Sequence, residues 1–167
     1  MNGTIESLKS ICTTLNGAEL TSQTGKLQRF IRFFSLKPIY KFALIPEIVI
    51  SPPSLYLVPL KDHIRPEVAI AAQNAYVALS GAYTGEISPS QLVDAGIPWV
   101  ILGHSERRQL FHETNEVVAK KTAVALDAGL SVILCIGETL AEREAGTTID
   151  VVEKQLNAVA KEIKDWR

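Results

Sequence analysis

The stretch Trp99-Val100-Ile101-Leu102-Gly103-His104-Ser105-Glu106-Arg107-Arg108 decides how this chain is read. Four apolar, largely β-forming residues end at a glycine, and a charged run suited to a helix follows at once. A short continuous apolar run predicts a strand buried on both faces. Gly103 lets the backbone turn sharply after it. His104 then falls at the carboxyl end of a strand and the amino end of a helix. The partial positive charge there disfavours an imidazolium and keeps a neutral ring able to donate a hydrogen bond. Glu106, two residues on, is placed to orient a ligand or a neighbouring side chain from the same helix start.

The same unit recurs on both sides. Ile48-Val49-Ile50 reads as a strand, followed by Ser51-Pro52-Pro53 and a short helix from about 54 to 60. Val68-Ala69-Ile70-Ala71-Ala72 is a second strand, with a Gly- and aromatic-containing loop over 73–87 and a helix from about Pro89 to Asp94. After the third strand, Trp99–Leu102, come a short helix over 105–112 and a longer one from about Asn115 to Ala128, with Val117, Val118, Val124 and Ala125 inward. Val132–Ile136 is a fourth strand. Thr147-x-x-Asp150 reads as a capping box for a last helix, whose stripe is Val152, Leu156, Val159 and Ile163. Upstream, Thr4 caps a helix with the stripe Ile5, Leu8, Ile11, Cys12 and Leu15, and Asn16-Gly17 stops it. This β–α alternation predicts an α/β fold, a parallel sheet covered by helices. In such folds chemistry sits at the carboxyl ends of strands, here Ser51, Gln73-Asn74, Gly103-His104 and Gly137-Glu138.

Composition narrows the function classes. The chain has 167 residues, 17 Lys+Arg and 18 Asp+Glu, and 47% apolar residues. One domain fits that length, and a wholly disordered chain does not fit that composition. Near-neutral charge argues against a dedicated nucleic-acid binder. Two cysteines, Cys12 and Cys135, exclude a disulfide scaffold and a four-cysteine zinc site, and a reducing compartment fits best. No basic start leads into an apolar leader, and no apolar run is long enough to span a membrane. His63, His104 and His112 lack metal-ligand spacing, so no metal is expected. There is no Walker or dinucleotide phosphate loop and no nucleophile elbow.

One region breaks the style of the rest. Residues 20–46 carry five basic residues and no acid, with four of the five Phe. Leu27, Phe30, Ile31 and Phe34 fall at helical spacing beside Lys26, Arg29 and Arg32, a possible short basic amphipathic helix. A membrane-surface or nucleic-acid role is compatible with that pattern. Inserted sequence without a selected role is the stronger reading.

Several runs together resemble triosephosphate isomerases. They are Met-Asn-Gly at 1–3, Val-Ile-Ser-Pro-Pro at 49–53, Ala-Ala-Gln-Asn-Ala at 71–75, Gly-Ala-Tyr-Thr-Gly-Glu-Ile-Ser at 81–88, Ile-Leu-Gly-His-Ser-Glu-Arg-Arg at 101–108 and Cys-Ile-Gly-Glu-Thr-Leu-x-Glu-Arg at 135–143. The resemblance implies the (β/α)8 TIM-barrel fold, a cytoplasmic homodimer, no cofactor, and interconversion of dihydroxyacetone phosphate and D-glyceraldehyde 3-phosphate in glycolysis and gluconeogenesis. It implies that His104 is the catalytic electrophile of that family's glutamate-and-neutral-histidine pair, with Glu106 supporting. It implies that Asn74, Tyr83, Thr84 and Gly85 belong to an arm, about 74–86, that inserts into the partner subunit. Cys135 matches a packing cysteine, and Arg107 and Glu138 match residues that steady the barrel.

The departures set further expectations. A complete barrel of this type needs roughly 250 residues, and four strands are legible here. The expected architecture is therefore an incomplete barrel over 1–167, interrupted at about 20–46, from a truncated or alternatively spliced form. The family's substrate-binding Asn and Lys would precede Met1, so no substrate-binding residue is retained. Its catalytic glutamate would follow Arg167. Loss of a general base costs roughly 10²–10⁴-fold, so the chain alone is expected to be a poor isomerase and marginally stable. The alternative is a non-catalytic interaction module that docks on a complete isomerase subunit through the 74–86 loop.

Overall fold

A computed structural model describes residues 4–18, 48–164 and 166. The possible helix around Leu27–Phe34 and the Met-Asn-Gly run lie outside those residues. Helix α1 spans Ile5–Gly17. Strands β1 (Ile48–Ile50), β2 (Val68–Ala72), β3 (Trp99–Leu102) and β4 (Ser131–Leu134) follow. Between β1 and β2 lie a 3-10 turn, Ser54–Tyr56, and α2, Leu57–Lys61. Helix α3 is Pro89–Asp94, α4 is Ser105–Leu110 and α5 is Asn115–Asp127. Helices α6 (Leu140–Glu144) and α7 (Thr148–Glu162) come after β4.

The four strands form one parallel sheet in the order β1-β2-β3-β4. Each crossover carries helix, as parallel pairing requires. This is the incomplete α/β barrel that the alternation predicts, with four strands among the described residues. The register puts Ala72, Val100 and Val132 side by side, and pairs Leu102 with Leu134. Those residues sit on the helix side of the sheet. There Val100 and Leu102 pack with Leu57, Leu60, Leu92, Ile97, Ala125 and Leu130 in a core that excludes water. Burying a leucine there is worth roughly 1.5–3 kcal/mol. Trp99 and Ile101 alternate onto the other face and are half-buried.

Three helix starts satisfy their orphan amides with reciprocal capping boxes: Thr4 with Ser7, Ser88 with Gln91, and Thr139 with Glu142. The box expected at Thr147 and Asp150 does not form. Thr147 makes no side-chain cap to α7. Its N–H and its hydroxyl both donate to Glu142 O, at 3.0 and 3.1 Å, so it closes α6. Only three residues separate the two helices, and the threonine serves the one it follows. Glu142 is accordingly a capping residue rather than free helix charge; it accepts from Thr139 N and Oγ1, both at 2.8 Å.

Other expectations are corrected by packing. Of the α1 stripe only Cys12 is buried; Leu8 and Leu15 are half-buried and Ile5 and Ile11 are exposed. In α5 the buried residues are Val118, Ala119, Lys121, Thr122 and Ala125, with Val117 and Val124 only half-buried. In α7, which lies against α5, Gln155 and Val159 are buried and Leu156 is exposed. Strand β4 ends at Leu134, two residues short of Ile136, and the Cys135 N–H donates to Leu102 O at 2.8 Å in the last bond of the β3–β4 ladder.

Candidate active site

Side chains tie down the carboxyl ends of all four strands on one side of the sheet. Ser51 Oγ donates to Ala71 O at 3.1 Å, and Gln73 Nε2 donates to Ser51 O at 3.0 Å, which ties the ends of β1 and β2. The Gln155 amide accepts from Gly137 N–H at 2.8 Å and donates to Gly137 O at 2.9 Å, doing for the segment after β4 what a paired strand would do. Arg108 holds the ends of β3 and β4 together: Nε donates to Gly103 O at 2.7 Å and Nη2 to Cys135 O at 3.3 Å. Its Nη1 donates to Asn115 Oδ1 at 2.7 Å.

His104 emerges from this frame as the N-cap of α4. Gly103 before it has φ +74°, and a Cβ there would lie 2.9 Å from Cys135 O, from Val118 Cγ1 and from Arg108 Nη2. Only glycine makes that turn and leaves that space. The imidazole is 48% exposed. Its Nδ1 accepts from the Glu106 N–H at 3.3 Å. A ring nitrogen that accepts from an amide carries no proton, so the neutral ring bears its hydrogen on Nε2. The same Nδ1 lies 3.7 Å from Glu106 Oε2, a contact that would draw a hydrogen onto Nδ1 in either the neutral or the charged ring. That distance exceeds a hydrogen bond, and the amide contact decides the tautomer. Glu106 is itself 76% exposed and free to turn.

The two arginines of the motif part company. Arg107 Nε donates to Glu113 Oε1 at 2.7 Å, and its guanidinium lies 4.4 Å from the Phe111 ring centroid. Glu113 Oε1 also takes the Lys121 ammonium at 2.6 Å, and Lys121 donates on to Asn74 Oδ1 at 2.9 Å. Glu113 and Lys121 are both buried. Burial alone would raise the Glu113 carboxyl; the hydrogen bonds from Lys121 and Arg107 hold it below the usual carboxylate range. Burial pulls the Arg108 guanidinium down and pushes the Cys135 thiol up, with the two partly offsetting each other. Glu138 lies below its ordinary value through backbone N–H donors and Arg143, whose Nε is 2.7 Å away.

The arm expected at about 74–86 is a closed loop on the same chain. Tyr76 N–H donates to Ile87 O at 2.9 Å across its base, and the Tyr76 and Tyr83 rings pack tilted by 45°, with centroids 4.5 Å apart. Glu86 N–H donates to Tyr83 O at 3.0 Å, closing a turn that holds Thr84 and Gly85, the latter at φ +92°. Tyr83, Thr84 and Gly85 are exposed, whereas Asn74 turns inward to Lys121. Sequence reasoning missed Arg108, Glu113, Lys121 and Gln155. The readable signal was a lysine inside the spacing Val118-Lys121-Thr122-Ala125, where a solvated face has no place. Among the described residues no cluster of three or more His, Cys, Asp or Glu could hold a metal, and no helix is long and apolar enough to cross a membrane.

Comparison with known proteins bears on what this site is. The triosephosphate isomerase family model matches residues 19–167. A triosephosphate isomerase of Coprinopsis cinerea is 65% identical over 122 residues, 72% of this chain and 49% of its own length. The cytosolic triosephosphate isomerase of Oryza sativa subsp. japonica is 54% identical over 122 residues, 73% of this chain and 48% of its own. That of Saccharomyces cerevisiae is 46% identical over 167 residues, 99% of this chain and 58% of its own. The chain thus spans about half to six tenths of the length of these relatives. With four parallel strands of an α/β barrel and the histidine at the third strand's carboxyl end, the chain belongs to the triosephosphate isomerase family.

Proposed function

We propose that this chain supplies the histidine side of a site that interconverts dihydroxyacetone phosphate and D-glyceraldehyde 3-phosphate through an enediol. The observation that carries the reading is the Nδ1 contact of His104 with the Glu106 amide, which leaves Nε2–H as an exposed neutral donor. When a base takes a proton from the carbon next to the substrate carbonyl, negative charge grows on the carbonyl oxygen. An Nε2–H directed there stabilises it without net charge on the ring; a proton passes from the neighbouring hydroxyl to that oxygen, and the base returns its proton to the former carbonyl carbon. Glu106 supports this from the same helix start. Homodimerisation through the arm, with Asn74, Tyr83, Thr84 and Gly85 at the interface, and a cytoplasmic location like that named for the rice relative complete the proposal.

No position among these 167 residues matches the family's glutamate base, so a polypeptide of these residues alone turns over at least about 10²–10⁴-fold below a complete enzyme. The test is to assay the purified 167-residue chain alone and after co-purification with a polypeptide carrying the remaining units of the yeast relative. Expected is negligible turnover alone, a gain in the complex, and loss of that gain in His104→Gln. Full turnover by the chain alone would sink the half-site reading. A folded complex with no activity would sink the isomerase reading.

A second reading is an interaction module. Leu79 and Tyr83 on the arm are each 47% exposed while hydrogen bonds hold the arm's base. That is a rigid loop offering apolar surface to a complete isomerase subunit. Binding to purified full-length yeast isomerase, lost in a Tyr83→Ser variant, is expected; absence of any complex at micromolar concentration counts against it.

A further inference from the structure

Arg108 grips both peptide groups that flank His104. Its side-chain Nε donates to Gly103 O at 2.7 Å on one side, and its backbone N–H donates to His104 O at 3.1 Å on the other. The remaining bonds anchor the guanidinium to two further segments, Asn115 Oδ1 at the start of α5 and Cys135 O after β4. Every acceptor is a neutral oxygen; no carboxylate among the described residues pairs with this cation. A half-buried guanidinium with only neutral acceptors is a costly way to fill space, and an apolar side chain of similar volume would pack at lower cost. What the arrangement gives is direction. Gly103, at φ +74° and without a Cβ, places little restraint of its own on the following peptide, so that peptide must be held from outside. Arg107 cannot do this, because its guanidinium is committed to Glu113 and Phe111.

We propose that Arg108 is the positioning residue of His104: by fixing the carbonyl before the histidine and anchoring it to β4 and α5, it keeps Nδ1 against the Glu106 N–H and so keeps the hydrogen on Nε2. The importance of that tautomer rests on the proposed function, but the test reads the ring directly and needs no turnover. The 167-residue chain is labelled with nitrogen-15 in its histidines, and the tautomer of each ring is read from the two nitrogen shifts, with His63 and His112 as internal controls. Wild type is expected to show His104 as the Nε2–H form. In Arg108→Met the ratio of Nε2–H to Nδ1–H forms falls about tenfold, the equilibrium effect of one ordinary hydrogen bond, while the controls stay put. A folded Arg108→Met variant whose His104 ratio is unchanged overturns the proposal and leaves Arg108 a purely structural clamp.

Two milder variants keep the question open to refutation if that one does not fold. Arg108→Lys retains the charge but cannot reach Gly103 O and Cys135 O together in one plane. Asn115→Ala removes one anchor and leaves the bond to Gly103. Both are expected to shift the ratio in the same direction by about two- to threefold. An unchanged ratio in folded Asn115→Ala overturns the anchoring, and an Nδ1–H ring in wild type overturns the whole geometry. Failure of the isomerase assay with these shifts intact would count against the reaction and not against the positioning.

Discussion

The segment from Trp99 to Cys135 and the end formed by α1 and β1 are built from similar apolar runs, yet they are held very differently. Val100, Leu102, Val118 and Ala125 lose all contact with water, and Arg108, Glu113 and Lys121 bind the surrounding loops. At the other end no residue of β1 is fully buried and Cys12 is the one fully buried residue of α1, with Leu8 and Ile50 packed half-buried against the core. What fastens α1 is polar: Arg65 Nη1 donates to Ala18 O at 2.9 Å, and Asn16 Nδ2 donates to His63 O at 2.9 Å. Apolar sequence alone therefore does not fix burial. A strand becomes core when it has a neighbour on each side and a helix above it. Among the described residues β1 has a strand neighbour on one side only.

The largest effect that would sharpen this contrast comes from the buried charges. Lys121→Met leaves Glu113 buried with one cation fewer and is expected to destabilise by about 3–5 kcal/mol, read from urea unfolding. A loss below about 1 kcal/mol would mean that water reaches the carboxylate. Next comes a matched pair of truncations. Leu102→Ala, fully buried, should cost about 2–5 kcal/mol, while Ile11→Ala, 50% exposed on α1, should stay within about 0.5 kcal/mol. Equal losses would break the comparison, because both ends would then be core.

Acid should also find the charged region first. The Glu113 carboxyl is held below its unfolded value, so its contribution is fully present above the unfolded pKa and fades as pH falls through the folded one. Stability is expected to decline below about pH 4, and the acid limb should be shallower in Glu113→Gln. An unaltered limb in that variant would place the acid sensitivity elsewhere. The smallest expected effect separates two threonines. Thr139→Ala removes a reciprocal cap and should cost about 1 kcal/mol. Thr147→Ala removes one bond to Glu142 O and should cost about half as much. The reverse order would restore Thr147 as the capping residue of α7.

Strand positions were legible because a parallel strand is written in its own residues: four short apolar runs ended where glycine or polar residues began. His104 was legible for the same reason, since Gly-His-Ser-Glu names a strand end and a helix start together. Which helix faces turn inward was less so. Val117 and Leu156 satisfy a helical stripe as well as Thr122 and Gln155 do, and only the neighbouring helix chose between them. The Thr147 box failed because a threonine between two helices can bond to the carbonyls behind it as readily as to the amides ahead. Spacing could not disclose that Thr147 already closes α6.

By itself the sequence determined the α/β class, the four strands, the family and the histidine at the third strand's end. Those are local properties: apolar run length, turn chemistry and motif order travel with the chain and need no partner. Tertiary structure alone decided that Arg107 joins a buried network with Glu113, Lys121 and Asn74 while Arg108 holds the ends of β3 and β4. Adjacent in the chain, the two arginines differ only in direction. Their partners lie from five to 27 residues away, and for Asn74, 47 residues from Lys121. A hydrogen bond acts only within about 3.5 Å, and distances of that kind are set by how the strands and helices pack.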